Sequence, residues 1–399
     1  MIRLALLALL ALLAAPVVAQ NPTRARDLGI PFDGSTGPLN AITDVTGVEV
    51  GHTTIIRGEG PLVVGQGPVR TGVTAILPRG RSSEDDVFAA WFTLNGNGEM
   101  TGTTWVEESG FLGGPVMITN THSVGMVHAA AVEYAVRRGR AFAWSLPVVA
   151  ETWDGPLNDI NGFHVTREHA FAALEAARGG PVAEGNVGGG TGMICHGFKG
   201  GIGTASRQVR TPAGNYTVGV LVQCNYGTRN QLRIAGISAG ADLAEPRICF
   251  RGTPPAGSRT PACGTPPGDP EVESDHGSII IVVATDAPLL AHQLKRVVKR
   301  AALGIGRMGG IGGNSSGDIF IAFSTANPSA SGAEGLRTVS MLPNDHINPL
   351  FEGTIQAVEE AVLNAMVAAE DMLGANGLFV PALPHDRVRE LLRKYGRGR

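Results

Sequence analysis

The sequence predicts an α/β (α+β) fold in which strands and helices intermix along the chain, on three observations. Short β-type runs in the first half, VTGVEVGHTTI, PVRTGVTAILP and PVMITNTHSVG, alternate apolar and small residues between turn signals. Alanine-rich stretches with helical spacing, 128–138 and 166–178, lie among the strands rather than in a separate half. Buried-strand signals then recur late, in TVGVLVQCNYG after Tyr216, in residues 279–285 of HGSIIIVVATD, and in IFIAFST from Ile319. Helical spacing is predicted for APLLAHQLKRVVKRAALGIG as one run, and again over 350–372 and 385–394. No internal repeat is evident.

At the N-terminus, MIRLALLALLALLAAPVVAQ carries one arginine, Arg3, an unbroken Leu/Ala stretch, and small residues at Val17 and Ala19. That pattern predicts a secretory signal over 1–19. The apolar run is short for a bilayer span of roughly 20 residues, so the mature chain is expected to be periplasmic or secreted with no membrane anchor. An apolar fraction of 43% against 17% charged residues supports a well-buried core. The net charge of −3, no basic cluster and only four tyrosines and four tryptophans give no electrostatic reason to expect nucleic acid. The expected partner is a small molecule or a second copy of the chain. Of the four cysteines, Cys195 and Cys224 sit among apolar or glycine-rich neighbours, whereas Cys249 and Cys263 bracket a polar segment. Export makes a Cys249 to Cys263 disulfide an expectation, and the spacing has no zinc pattern, so neither a metal nor a cofactor is expected.

Residues 245–275, rich in Pro, Gly and Arg, lack any sustained periodicity and read as a surface loop long enough to need a functional or processing explanation. The loop gives way abruptly to Gly277 and then to Ser278, the first residue before an apolar strand. Gly277 is expected to supply backbone freedom for the Ser278 hydroxyl to attack the Gly277 carbonyl. Hydrolysis of the resulting ester would free Ser278 as an N-terminus whose amine, with an ordinary pKa of roughly 7.7 to 8.0, suits a general base near neutral pH. Read alone, a serine opening a strand is an ordinary turn residue. A second turn feeding a strand, Asn314, Ser315, Ser316, Gly317 and Asp318, would bring Ser316 and Asp318 towards Ser278 if the two strands are neighbours; alone, it reads as an Asx or Ser turn.

Other polar points carry weaker readings. Asn225 ends a strand and can offer its amide to a developing oxyanion, or simply form a turn. Glu151, leaving an apolar run in VVAETWDG, can pair with a substrate ammonium or stand as a solvated loop acid. Glu107 and Glu108 read as solvated or salt-bridged. The glycine-rich GNVGGGTGMICHGFKGG lacks the ending of a phosphate-binding P-loop and is not followed by a clear helix, so it reads as close backbone packing rather than a nucleotide cradle.

Several segments together, NAITDVTGVEVGHTTI, GVTAILP, NGNGEMTGTTWVEESG, ITNTHSVG, VVAETWDGPLNDINGFHV, GSIIIVVATDAPLLAHQLKRVVKRAALG and SSGDIFIAFSTANP, resemble the DmpA/BapA-type aminopeptidases, also called the L-aminopeptidase/D-esterase or β-aminopeptidase family. The resemblance covers nearly all of the mature chain. It implies a four-layer αββα sandwich like that of N-terminal-nucleophile hydrolases, with different connectivity. It further implies a precursor that cuts itself between Gly277 and Ser278 into an α chain, 20–277, and a β chain, 278–399, which stay associated in one catalytic domain and assemble as a homo-oligomer. By the same resemblance Ser316 and Asp318 support the nucleophile, Asn225 serves the oxyanion, and Glu151 holds the free amine of a short peptide or amino-acid amide or ester; whether D- or β-residues are accepted is left open by the sequence. Trp153 aligns where relatives place a tyrosine; an indole N–H donates but cannot relay a proton as a phenol does. The 245–275 loop is longer than the resemblance predicts, which fits either a narrowed cleft or an oligomer contact. Two rival functions keep the fold: an amidase for synthetic or cyclic oligoamides, and an uncut, non-catalytic binding protein.

Overall fold

The computed structural model describes residues 23–139, 144–266, 277–332 and 334–398. The predicted signal over 1–19, and the last ten residues before Gly277, lie outside the described residues. Among the described residues, two large sheets are built from β1 (Glu49–Arg57), β2 (Val69–Leu77), β3 (Val87–Gly96), β4 (Phe111–Leu112), β5 (Val116–Asn120), β6 (Val148–Thr152), β7 (Gly201–Thr211), β8 (Gly214–Asn225), β9 (Ser278–Thr285) and β10 (Gly317–Ser324). One sheet runs β1-β2-β5-β6 and the other β4-β3-β10-β9-β8-β7. The helices are α1 (Thr103–Ser109), α2 (Val124–Arg137), α3 (Arg167–Ala176), α4 (Ala291–Val298), α5 (Ala301–Arg307), α6 (Asn348–Val367) and α7 (His385–Lys394).

The apolar clusters show how these pieces stack. Val127, Ala130, Ala170 and Leu174 of α2 and α3 pack on Val73, Met117 and Val149 of the four-stranded sheet. The other face of that sheet, with Ile76, Ile118 and Val148, packs on Leu221, Ile280, Val282, Ile319 and Ile321 of the six-stranded sheet. Val220, Ile279, Ile281, Val283 and Phe320 face outward from the six-stranded sheet against Leu294, Ile305, Val358 and Val362 of α4, α5 and α6. The result is the four-layer αββα sandwich the resemblance implies. Because β9 and β10 are covered on both faces, every residue in them is buried, and their middles, residues 279–284 and 319–323, read as unbroken apolar runs instead of alternating ones.

Two expected elements differ in extent. The single helix expected after β9 is two, α4 and α5, separated where the Arg300 N–H bonds Val297 O at 2.9 Å in a tightened turn. The helix expected over 350–372 ends at Val367; Asn186 takes up the Glu370 N–H, and Met372 pairs instead with Val380 in a short strand. No helix among the described residues is long and apolar enough to cross a membrane.

A charge cluster locks α6 to β7. The fully buried Glu360 accepts from Arg26 at 2.7 Å, from Arg207 at 2.7 Å and from Asn40 at 2.6 Å, and Arg207 is itself only 1% exposed. Removing one member strands the others' charge in the core. Glu360→Gln is therefore expected to lower the unfolding free energy by about 3–5 kcal/mol, read as a shift in the denaturant midpoint at unchanged slope.

Candidate active site

The predicted site residues come from both sheets and meet at one edge of the sandwich. Strands β9 and β10 are parallel neighbours, with Ser278 opposite Gly317. On its other side β9 runs antiparallel to β8, which sets Ser278 opposite Asn225. Ladder register alone thus brings Asn225, Ser278 and the Ser316–Asp318 turn side by side, although up to 93 residues separate them in sequence.

The Gly317 N–H lies 3.3 Å from Ser278 Oγ and 3.3 Å from the Gly277 carbonyl oxygen, so one donor is shared between a hydroxyl and the carbonyl preceding it. Either side of Gly317, the Ser316 hydroxyl donates to Asp318 Oδ1 at 2.6 Å, and both residues are fully buried. That turn is held from β3: Asn95 Oδ1 accepts from the Asp318 N–H at 2.9 Å, while Asn95 and Asn97 donate to the carbonyls of Gly313 and Ser315.

Gly277 must be glycine, for a reason other than the expected one. Its φ lies outside the left-handed region, but a Cβ there would stand 1.9 Å from the Asn225 carbonyl oxygen and 2.6 Å from Tyr226 Cα. The chain crosses the end of β8 too closely for any side chain, and that contact fixes the carbonyl beside Ser278.

Asn225 is 4% exposed and doubly held. Its Oδ1 accepts from the Ile194 N–H at 2.7 Å, and its Nδ2 donates to the Trp153 carbonyl at 3.0 Å. One Nδ2 hydrogen is thereby used and the other is left for a further acceptor. Trp153 enters the site through its backbone; its indole is 42% exposed and lies over Gly155, at the rim.

Glu151, at the end of β6, is not a solvated loop acid but 2% exposed. The Glu99 N–H donates to Oε1 at 3.0 Å, and the Thr121 hydroxyl donates to Oε2. Burial raises its pKa above the usual carboxylate range, and those two hydrogen bonds partly counter the shift. Gly98 joins this carboxylate to the Ser278 cluster, since a Cβ on Gly98 would sit 3.1 Å from Glu151 Oε1 and 3.4 Å from Gly317 Cα. A buried carboxylate whose charge is incompletely matched, close to a strand-opening hydroxyl, suits a ligand that brings its own ammonium.

Sequence reasoning did not single out Thr121, Asn95, Asn97 or the Ile194 N–H. The first three occur in the quoted motifs ITNTHSVG and NGNGEMTG, but nothing in their spacing announces the bonds they make.

Among the described residues, Cys249 and Cys263 are bonded at 2.07 Å, closing the start of the long loop, and Cys249–Phe250 pairs with Leu378–Val380. That end of the loop is therefore tied to the C-terminal part of the chain. A second disulfide, Cys195 to Cys224, joins the Ile194–Cys195 hairpin to the residue before Asn225. Sequence reasoning proposed no bond between these two cysteines, which sit among apolar or glycine-rich neighbours. The glycine-rich stretch is the packed loop expected: Gly188–Gly190 form a short 3-10 turn against β2, and all three are buried. Glu107 is exposed and pairs with Lys295 at 2.7 Å. Among the described residues, no cluster of histidine, cysteine or carboxylate side chains could hold a metal ion.

A profile of Peptidase family S58 matches residues 40–380. The chain is 56% identical over 388 residues, 97% of its length and 96% of the relative's, to the beta-peptidyl aminopeptidase BapA of Sphingosinicella microcystinivorans. Among solved structures it is similar to the L-aminopeptidase D-Ala-esterase/amidase of Ochrobactrum anthropi, described as a prototype of the serine aminopeptidases and a variant of the Ntn hydrolase fold. That match has 48% identity and a TM-score of 0.84, over 94% of this chain and 99% of that one. A beta-aminopeptidase of a Burkholderia species matches at 46% identity and a TM-score of 0.81, over 94% and 99% of the two chains. The sandwich described above is thus a variant of the Ntn hydrolase fold.

Proposed function

Because this chain belongs to peptidase family S58 and is an aminopeptidase of that family, we propose that it is a self-cleaving serine aminopeptidase whose nucleophile is Ser278. The observation that carries the reading is the Gly317 N–H shared between Ser278 Oγ and the Gly277 carbonyl. A donor on that carbonyl withdraws electron density from its carbon and steadies the oxyanion that forms if Ser278 Oγ attacks it. Collapse of this adduct breaks the C–N bond, moves the Gly277 acyl group to Oγ and leaves Ser278 with a free amine. Water then hydrolyses the ester, giving an α chain ending at Gly277 and a β chain beginning at Ser278.

In turnover, the new α-amine takes the Oγ proton as Oγ attacks the substrate amide carbonyl. Asn225 Nδ2 donates to the oxyanion. The leaving amine takes the proton from the Ser278 α-amine, and water releases the acyl group. Ser316 and Asp318 orient the amine through the buried turn that faces Ser278. Glu151 binds the free ammonium of the substrate and thereby sets the nucleophile one residue from the N-terminus, which is what makes the enzyme an aminopeptidase. The Trp153 carbonyl holds the Asn225 amide in place, and its exposed indole borders the substrate.

The substrates are short peptides, amino-acid amides and esters. The names of the relatives extend these to β-peptidyl substrates. Export to an oxidising compartment, after removal of residues 1–19, fits the two disulfides, and the working particle is an oligomer of αβ units.

Mass spectrometry of the purified protein tests the processing step: two chains are expected, the second beginning at Ser278. One active, unbroken chain would refute it. For the amine anchor, Glu151→Gln is expected to lower kcat/KM on free-amine dipeptides roughly 100-fold by leaving the substrate ammonium without its partner. Rates on the same substrates with the amine acetylated, low in both proteins, should not change; an equal loss on both would remove Glu151 from this role.

A further inference from the structure

A second charged side chain, not used in the mechanism above, is buried next to the oxyanion amide. Lys199 is fully buried, and among the described residues no carboxylate pairs with it. Its ammonium donates instead to backbone carbonyls, Met193 O at 2.8 Å, Gly200 O at 2.8 Å and Gly190 O at 3.4 Å. Lys199 stands opposite Ile194 in the short hairpin tied to β8 by the Cys195–Cys224 disulfide. The Met193 carbonyl it grips belongs to the same peptide group as the Ile194 N–H, which donates to Asn225 Oδ1.

We propose that Lys199 is a positioning residue for the reaction, acting on Asn225 through the Met193–Ile194 peptide. The proposal rests on the reading of Asn225 as oxyanion donor. A cation on a peptide oxygen draws electron density from the peptide and makes its N–H a stronger donor; a stronger bond to Oδ1 in turn polarises the side-chain amide, so its remaining Nδ2 hydrogen binds an oxyanion better. Neutral donors on the same carbonyls would hold the loop but not transmit this charge.

The relay is also open to pH. With no carboxylate to offset it, burial pushes the Lys199 ammonium down to about 7. The charged and titratable groups on the surrounding elements are otherwise engaged. Asp154, beside Gly192, accepts from Asn120 and Asn158; His196 faces Thr228 O; Arg229 binds the carbonyls of His196 and Leu243; and Asp371 accepts from the Ala382 N–H. The charge on Lys199 is therefore present below about pH 7 and lost above it, whereas the Ser278 amine becomes a base only as pH rises.

The test reads the Asn225 side-chain amide directly by NMR, in the Ser278→Ala protein, so that it needs no turnover and no free serine amine. The Nδ2 proton signal, identified by its loss in Asn225→Asp, is expected to titrate with a single midpoint near 7. That midpoint should match the one of the Lys199 Nζ signal, and the movement should vanish when Lys199→Gln is added. An Nδ2 signal that stays fixed while the Nζ signal titrates, or that moves with a midpoint different from that of Nζ, overturns the proposal without needing any Lys199 variant to fold. In the mature enzyme, Lys199→Gln is expected to lower kcat about tenfold at pH 6 with KM changed less than twofold, and to remove an alkaline decline in kcat. Retention of kcat within twofold, or a loss confined to KM, counts against the relay. If the protein proves to have no Ser278-dependent activity, the functional reading fails and the amide titration still decides whether the relay exists.

Discussion

Ser278→Ala is expected to yield one chain on a denaturing gel and an amidase rate reduced at least about 10⁴-fold. Both losses follow from one missing atom. Without Oγ there is no nucleophile for the Gly277 carbonyl, so the α-amine is never released, and there is none for a substrate. The fold should survive, because Ser278 is a strand residue whose hydroxyl accepts one long bond, from the Gly317 N–H at 3.3 Å, while its ladder partners pair through backbone. An unfolding midpoint within a few degrees of the wild type would establish that. Ser278→Cys supplies the control, since a thiol in the same place keeps a nucleophile and should restore cutting at the same bond. A Ser278→Ala chain still cut before residue 278, or still turning over substrate, would mean that the nucleophile lies elsewhere.

The parts of the molecule legible in the sequence are those where burial leaves a one-dimensional trace. β8, β9 and β10 lie between helices and the second sheet, so they read as apolar runs. The expectation that Ser278 and the 314–318 turn meet needed only that two such strands be neighbours, and they are. β7 was not legible, because Ser206 and Arg207 in it are buried by bonding to Asp44 and Glu360 rather than by being apolar. β3, half exposed along its second part, has no clean alternation either. Within the site, residue types were readable but partners were not. Glu151 looked equally suited to solvent, and only the fold places Thr121 and the Glu99 N–H on its two oxygens. For Gly277 the residue type was anticipated, whereas the reason for it, a backbone crossing with Asn225, is a tertiary contact no local pattern encodes.

Asn225→Ala is expected to lower kcat by about 10²–10³ with KM little changed, because an oxyanion donor acts in the transition state and not on the resting substrate. The same side chain also accepts from Ile194 and donates to the Trp153 carbonyl, so truncation leaves a half-buried N–H and a half-buried C=O without that partner and should cost stability by about 1 kcal/mol per group, since water can reach them in part. Catalytic and structural losses must therefore be read separately. Asn225→Asp does this: it can still accept from Ile194, but it sets a carboxylate where the oxyanion should form and loses the donor to Trp153. If the amide stabilises negative charge, Asp should be at least as inactive as Ala on amides and esters alike, whatever its unfolding midpoint. If Asn225 only braces the two loops, Asp should recover activity in proportion to the stability it restores. Activity at the aspartate enzyme near that of the wild type would remove Asn225 from the oxyanion site and return that task to backbone donors such as the Gly317 N–H.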